Sequence, residues 1–263
     1  MHDPANYFSG VTLFVTHFNR SNSLERLLTS FREKNIQFES IVVSDDASNI
    51  EHQEKIAELQ KDFKFQLITA SINGGLGNNL NKGQEAITTP LTLYVQEDFT
   101  PTDAFRKHFV DAIEIMREES KWDIIRFYSY LKYPYLKPYK KGFSEMVFKY
   151  WYYDYYKMYC YSDHPHLRRN NFVKKFGRYR EGYNPPRTEY WMCVSFIHHK
   201  GKGLFFEDFH SLFSHHNTTD EPSTWDKKKW LQNSKIILVR FPRDMYRRIR
   251  YNMDILMFRK RKE

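Results

Sequence analysis

The sequence predicts an α/β fold, a mostly parallel central sheet flanked by helices, followed by a basic helical C-terminal extension. Three observations carry that expectation. Short apolar runs rich in β-branched residues alternate with segments of helical periodicity between residues 11 and 128. The apolar runs pass into polar residues at their carboxyl ends. The positive charge gathers at one end: from Lys227 to Glu263 there are 13 Lys and Arg against 3 acids, a balance of +10 in a chain whose net charge is +9.

The elements follow in order. "VTLFVTHFNR" (11–20) reads as a buried strand running to the edge of a sheet. Asn22 and Glu25 have the spacing of a capping box, and Leu24, Leu27, Leu28 and Phe31 then mark one apolar helical face. "SIVVSDDAS" (40–48) is a second strand, ending in paired acids, and the three pieces have the length of a βαβ unit, hence a parallel sheet. A polar helix at 51–61, a strand "FQLIT" (65–69), a helix at 76–87 and the strand "LTLYV" (91–95) continue the alternation. A helix at 103–119 and the strand "WDIIRFY" (122–128) precede a long aromatic stretch that includes "YWYYDYYKMYCY" (150–161). In open parallel sheets ligands bind beyond the carboxyl ends of the strands, which is where Asp45, Asp46, Glu97 and Asp98 fall.

Composition removes several classes. At 263 residues, with 41% hydrophobic and 17% aromatic residues, the chain can bury a core and is not read as disordered. Cys160 and Cys193 are its two cysteines, which excludes a disulfide framework and a zinc ribbon and suits a reducing compartment. "MHDPANYFSG" lacks the regions of a secretory signal, and no apolar run approaches the roughly 18 residues of a spanning helix, so a cytosolic protein is expected. Outside the tail the charge balance is −1, and no nucleic-acid motif accompanies the basic residues, so no nucleic-acid partner is expected.

Two common nucleotide signatures fail on spacing. Gly75, Leu76 and Gly77 begin a GxGxxG whose last position is Leu80, and GxxxxGK[ST] does not occur. Four features in order, "FVTHFNR", "VVSDDAS", "NGGLGNNLNKG" and "LYVQEDF", instead make the sequence resemble the family-two glycosyltransferases of GT-A fold, of the bacterial glycan and cell-surface polysaccharide type. The resemblance is clear over residues 8–120 and weaker to about 218. It implies a GT-A-like nucleotide-binding fold at 1–218, with a nucleotide-sugar half (1–120) and an acceptor half (121–218), followed by a basic amphipathic tail at 219–263.

It also implies roles. The first two strand ends hold the nucleoside, which assigns Asp46 and, beside it, Asp45; an Asx-turn ending the strand is the alternative for both. Asn73, Gly75, Asn81 and Gly83 match the N-x-G, five residues, N-x-G segment, although the glycines also suit a turn before a helix with no ligand contact. Gln96, Glu97 and Asp98 stand at the D-x-D motif, whose acids contact the ribose and a divalent cation, Mn²⁺ or Mg²⁺, on the donor diphosphate. Asp98 is the expected metal ligand, Gln96 and Glu97 the expected donor contacts, and the uncharged Gln96 puts metal dependence in question. A solvated strand-end turn is the competing reading for these acids, with Asp103 rather than Asp98 as the cap of the next helix.

In the second half, "KKFGRYREGYNPPRTEYWMCVSF" resembles the segment whose E-D pair includes the base, and Thr188 and Glu189 stand at that pair. Glu189 is the expected base of an inverting transfer, with Glu181 and Asp208 in reserve; a first-turn acid favourable to its helix dipole is the alternative. "FSHHN" (213–217) offers His215 as a further metal or diphosphate contact, and since neighbouring strand residues face opposite ways, His215 and His216 do not both reach the site. The tyrosines suit either sugar stacking or packing.

In the tail Met245, Ile249, Asn252 or Met253, and Leu256 fall along one side of a helix whose other sides carry arginines. Such a helix can lie on an anionic membrane, at the inner face of the cell membrane, or pack on the domain. The function expected is an inverting glycosyltransferase moving a sugar from a nucleotide-diphosphate donor to a glycan or lipid-linked saccharide acceptor. Its rivals are a non-catalytic nucleotide-sugar or glycan-binding protein of the same fold and, third, a sugar nucleotidyltransferase.

Overall fold

The computed structural model describes residues 6–149, 152–216, 221 and 237–258. The chain opens with β1 (Tyr7–His17), α1 (Ser21–Glu33), β2 (Gln37–Asp45), α2 (Ile50–Phe63), β3 (Gln66–Ile68), α3 (Gly75–Glu85) and β4 (Leu91–Gln96). Each expected element is present, with ends displaced by a few residues. β1 stops at His17 rather than continuing to residue 20, because Asn19 takes a left-handed conformation, φ 52°, that turns the chain out of the sheet.

The expected capping box does not form. α1 starts at Ser21, and its free N–H groups are met from far along the chain: the Glu221 carboxylate accepts from Asn22 N at 2.9 Å, Ser23 N at 2.8 Å and Ser23 Oγ at 2.7 Å. Glu25 pairs instead with Lys55 of α2, 2.7 Å away. The apolar face is as expected, with Leu24, Leu27, Leu28 and Phe31 all buried.

Then follow β5 (Phe99–Pro101), α4 (Phe105–Glu118), β6 (Ile124–Arg126), β7 (Leu136–Pro138), β8 (Phe143–Met146), a 3-10 turn (Tyr156–Cys160), β9 (His166–Arg169), α5 (Phe172–Phe176), α6 (Pro185–His198), β10 (Gly203–Phe206), β11 (Phe213–His215) and α7 (Ile237–Leu256). The main sheet has nine strands in the order β3-β2-β1-β4-β9-β6-β10-β8-β7. β1 pairs in parallel with both β2 and β4, β2 with β3, and β6 with β10. β9 runs antiparallel between β4 and β6, and β8 antiparallel between β10 and β7, so the other seven strands share one direction. The sheet is mostly parallel, and β9 joins the first half of the chain to the second.

Apolar layers cover both faces. On one side α1 and α4 bury Leu28, Phe31, Phe105 and Phe109 against Val15, Val43 and Leu93. On the other, Phe14, Tyr94, Tyr161, Phe172 and Phe196 pack with α3, α5 and α6. β5 and β11, too short to read from periodicity, form a separate two-stranded sheet at the carboxyl end of β4.

The described part of the tail is a helix, and it packs on the domain. The ring of Tyr251 packs tilted against Tyr190 of α6 with centroids 4.7 Å apart, His198 Nδ1 lies 3.0 Å from Ile255 O, and Asn252 Nδ2 donates to Tyr153 O at 3.1 Å. The packing face is therefore not the expected stripe: Met245, Ile249, Met253 and Leu256 all point outward.

Candidate active site

Two acidic strand ends flank β1. At the end of β2, Asp45 is buried and spends its carboxylate inside the fold. Its Oδ1 lies 2.7 Å from His17 Nδ1 and accepts from Ser48 Oγ at 2.5 Å, while Oδ2 accepts from Ser48 N at 3.0 Å. The last bond runs to the N–H three residues on, one further than the Asx-turn held open as an alternative. Burial alone would raise this carboxyl, but the bonds from His17 and Ser48 outweigh it and lower it below the ordinary range.

Asp46 joins that end to the glycine segment. Its Oδ1 accepts from Gly74 N at 3.0 Å and its Oδ2 from Gly75 N at 2.8 Å, and Asn73 Oδ1 also accepts from Gly75 N at 3.0 Å. Burial is the largest influence on Asp46 and raises its carboxyl despite the two glycine N–H groups. Gly75 has φ +78°, which explains a glycine at the entry to α3. Gly77 is there for closeness, since a Cβ would meet Arg180 O at 2.4 Å. Asn81 donates to Tyr179 O at 2.9 Å and to Glu181 Oε1 at 2.8 Å, so the second half of the N-x-G segment clamps α3 onto the chain leading to α6.

The end of β4 is built differently. Gln96 pairs in register with Thr16, and beyond it Arg20 Nη1 donates to Asp98 Oδ2 at 2.9 Å and to Glu97 Oε1 at 3.4 Å. Arg20, 4% exposed, is steered there by its own backbone, whose N–H bonds His17 Nε2 at 3.1 Å. His17 thus carries its proton on Nδ1, toward Asp45. β11 lies antiparallel to β5 with His215 opposite Phe99, which brings His215 Nε2 to 3.4 Å from Asp98 Oδ2. His216, one residue past the end of β11, meets Thr100 Oγ1 at 2.8 Å.

Burial, with the Asp98 charge beside it, pushes the Glu97 carboxyl up to about 8, so Glu97 is protonated at neutral pH. For Asp98 burial acts upward, but His215 and Arg20 outweigh it and hold the group below its usual range. The edge therefore holds one carboxylate against one guanidinium. It is also unfinished: Asp98 Oδ1 and the Nε and Nη2 of Arg20 are buried and have no partner among the described residues. Native folds rarely leave such groups unmet. Asp103, the helix cap of the competing reading, lies exposed beside Lys34, and Ala104 occupies the cap position of α4.

Glu189 sits five residues after Asn184, the cap of α6, whose side chain accepts from Arg187 N at 3.1 Å. It is a second-turn residue rather than the first-turn acid of the alternative reading. Its Oε1 accepts from Asp163 N at 3.2 Å. Asp163 is buried, accepts from Tyr161 OH at 2.9 Å, and is lifted to about 8 by burial and then by the Glu189 charge. Tyr130 links the two regions. It is 55% exposed, its OH lies 3.4 Å from His215 Nε2, and after burial the charges of Asp98 and Glu189 both push it up, to about 12. Of the reserve bases, Glu181 is bound to Asn78 and Asn81, and Asp208 is exposed near His108 of α4.

Sequence reasoning missed Arg20, Tyr130 and Asp163. Arg20 closes the quoted stretch "FVTHFNR", so a signal existed; the other two are ordinary in their local sequence.

A model of glycosyl transferase family 2 matches residues 12–177. No curated protein matches the sequence. Among solved structures, S. aureus TarS 1-349 in complex with UDP-GlcNAc is similar at TM-score 0.60 and 13% identity, over 96% of this chain and 68% of that one. Another structure of TarS 1-349 is similar at TM-score 0.58 and 14% identity, over 77% of this chain and 59% of that one. The mannosyltransferase PcManGT from Pyrobaculum calidifontis, in complex with GDP-Man and Mn2+, is similar at TM-score 0.54 and 13% identity, over 78% and 56%. The chain thus spans between about half and two thirds of the length of these neighbours, which share its mostly parallel sheet flanked by helices. With that sheet, and with the family model covering well over half of its residues, the chain belongs to glycosyl transferase family 2.

Proposed function

We propose that the chain is an inverting glycosyltransferase that moves a sugar, a hexose or a related one, from a nucleotide-diphosphate donor to a glycan or lipid-linked saccharide, in cell-surface polysaccharide synthesis. It would work in the cytoplasm, at the inner face of the cell membrane. The observation that carries this reading is the unfinished edge of β4, where a buried carboxylate and a buried guanidinium retain unused bonding capacity in a family-two fold.

Mn²⁺ or Mg²⁺ fits that edge. Asp98 Oδ1 is a hard oxygen without a partner among the described residues, and His215 adjoins the same carboxylate. Among the described residues no group of three or more candidate ligands occurs, and two suffice when phosphate oxygens and waters complete the shell. Asp98 and His215 would hold the ion, which when bound would offset the negative charge growing on the departing diphosphate. Arg20 directs Nε and Nη2 to the same diphosphate, as cationic donors already in place. Asp46, with Asn73 and Gly75, shapes the nucleoside side; Gln96 and Glu97 offer hydrogen bonds to the ribose, and Asp45 keeps the β2 end in position. Glu189 takes the proton of the acceptor hydroxyl as its oxygen attacks the anomeric carbon from the face opposite the diphosphate, which leaves with the bonding pair. Tyr130, between the two acids, lines the place where donor sugar and acceptor meet.

Calorimetric titration of UDP, GDP and dTDP, with and without Mn²⁺, into the native chain and Asp98→Ala tests the site. One nucleotide should bind, more tightly with metal, and binding should vanish in the variant. Glu189→Gln should retain that binding and lose about 10²-fold or more in transfer. A folded sample that binds none of the three nucleotides overturns the reading. The non-catalytic alternative has one observation in its favour, the Arg20–Asp98 pair that already neutralises the edge; nucleotide binding with no transfer, unchanged by Glu189→Gln, would establish it.

A further inference from the structure

The tail helix α7 has two faces with different fates. The inner face is anchored: Ile255 is buried, Tyr251 packs tilted against Tyr190, and Tyr190 OH donates to Asp254 at 2.5 Å. Arg247 and Arg248 lie over the rings of Tyr155 and Tyr153. The outer face carries Pro242, Met245, Tyr246, Ile249, Met253, Leu256 and, just past the helix end, Met257, all exposed. At 3.6 residues per turn these seven occupy one continuous arc of about 120° with no charged residue in it. Arg243 and Arg250 border the arc on one side and Asn252 borders it on the other, while the two acids of the helix are already paired, Asp244 with Arg243 and Asp254 with Arg250.

A contiguous apolar face exposed to water marks a surface that meets a partner. A second copy of the chain would bring two tails of +10 together, which like charges oppose. No helix among the described residues is long and apolar enough to cross a membrane. We infer that the outer face of α7 docks flat on an anionic lipid surface, with its methionines, Ile249 and Leu256 entering the headgroup boundary and the flanking arginines meeting lipid phosphates. The docking rests on this face alone and is independent of the chemistry at Asp98.

The test is sedimentation of the full chain with vesicles of phosphatidylcholine, and of phosphatidylcholine mixed with phosphatidylglycerol. Binding should occur with the mixed vesicles only, weaken with salt, and fall about tenfold or more in the double variant Ile249→Glu, Met253→Glu. Both side chains are exposed, so the variant should melt as the native chain does. Failure to bind either vesicle overturns the inference, as does binding that the double variant leaves intact. A dimer by light scattering that the variant dissolves would make the arc a copy-to-copy interface instead. Nucleotide titration of the same samples separates the two ideas: nucleotide bound without vesicle binding removes the docking alone, and the reverse removes only the donor site.

Discussion

The acids at the end of β2 and those at the end of β4 occupy equivalent places beside β1 and are used in opposite ways. Asp45 and Asp46 have every carboxylate oxygen engaged by His17, Ser48, Gly74 or Gly75. Asp98 has one oxygen engaged and one buried with no partner among the described residues, and Arg20 repeats the pattern with two of its nitrogens. An acid bonded through both oxygens is held in place by the fold, although each oxygen keeps a further lone pair that a ligand can use. An unsaturated one marks where the fold accepts a cost that a ligand would remove.

That contrast can be broken by experiment. The largest effect is expected at the open edge: Arg20→Met, which preserves length and removes charge, should cut transfer by about 10²- to 10³-fold. Steady-state kinetics would show it, and a turnover within about twofold of native would end the role assigned to Arg20. At the closed edge Asp45→Ala should act on stability, lowering the unfolding free energy by about 3 kcal/mol through the bonds lost to His17 and Ser48. Denaturant titration measures this, and nucleotide affinity of the folded variant should stay near native. If affinity fell as deeply as transfer does in Arg20→Met, the two edges would not differ as described.

Gly77→Ala should cost about 2 kcal/mol, as the new methyl pushes α3 from the Arg180 carbonyl. A melting temperature equal to native would show that this approach is looser than 2.4 Å implies. A further expectation concerns pH. Glu97 is raised in the folded chain from 4.5 to about 8, so between those values the folded state keeps a proton that the unfolded state has released. Its contribution to stability is therefore full below about 4.5 and declines as pH rises through about 8. Glu97→Gln should lose that slope, and a native-like fall in stability across the window would place the proton elsewhere.

How much of this was legible follows from distance along the chain. The strands and helices up to residue 96 were readable because alternation and helical periodicity are local properties, and burial of Leu24, Leu27, Leu28 and Phe31 follows from one stripe. The acidic edge was readable as residues, through "LYVQEDF", but not as an arrangement. Arg20 reaches Glu97 and Asp98 across 77 and 78 positions, and the Glu221 cap reaches Ser23 across 198. The false capping box shows the reason: Asn22 and Glu25 satisfy a local rule, while a distant carboxylate takes the Asn22 N–H that the box would use.

α7 makes the same point about surfaces. Its period predicted a helix with an apolar side, and that side exists, yet period alone could not say which side meets the domain. Tyr251, Ile255 and Asn252 were chosen by what α6 and the 3-10 turn present to them.

By itself the sequence determined the alternation of elements, the polar strand ends and the concentration of charge in the tail, because each depends on neighbours within a few positions. Only the tertiary structure decided which acids are spent and which remain open, that Arg20, Asp98 and His215 converge, and that the apolar arc of α7 faces outward. Those outcomes depend on groups far apart in the chain competing for the same few hydrogen bonds and contacts, and that competition is settled when the chain folds.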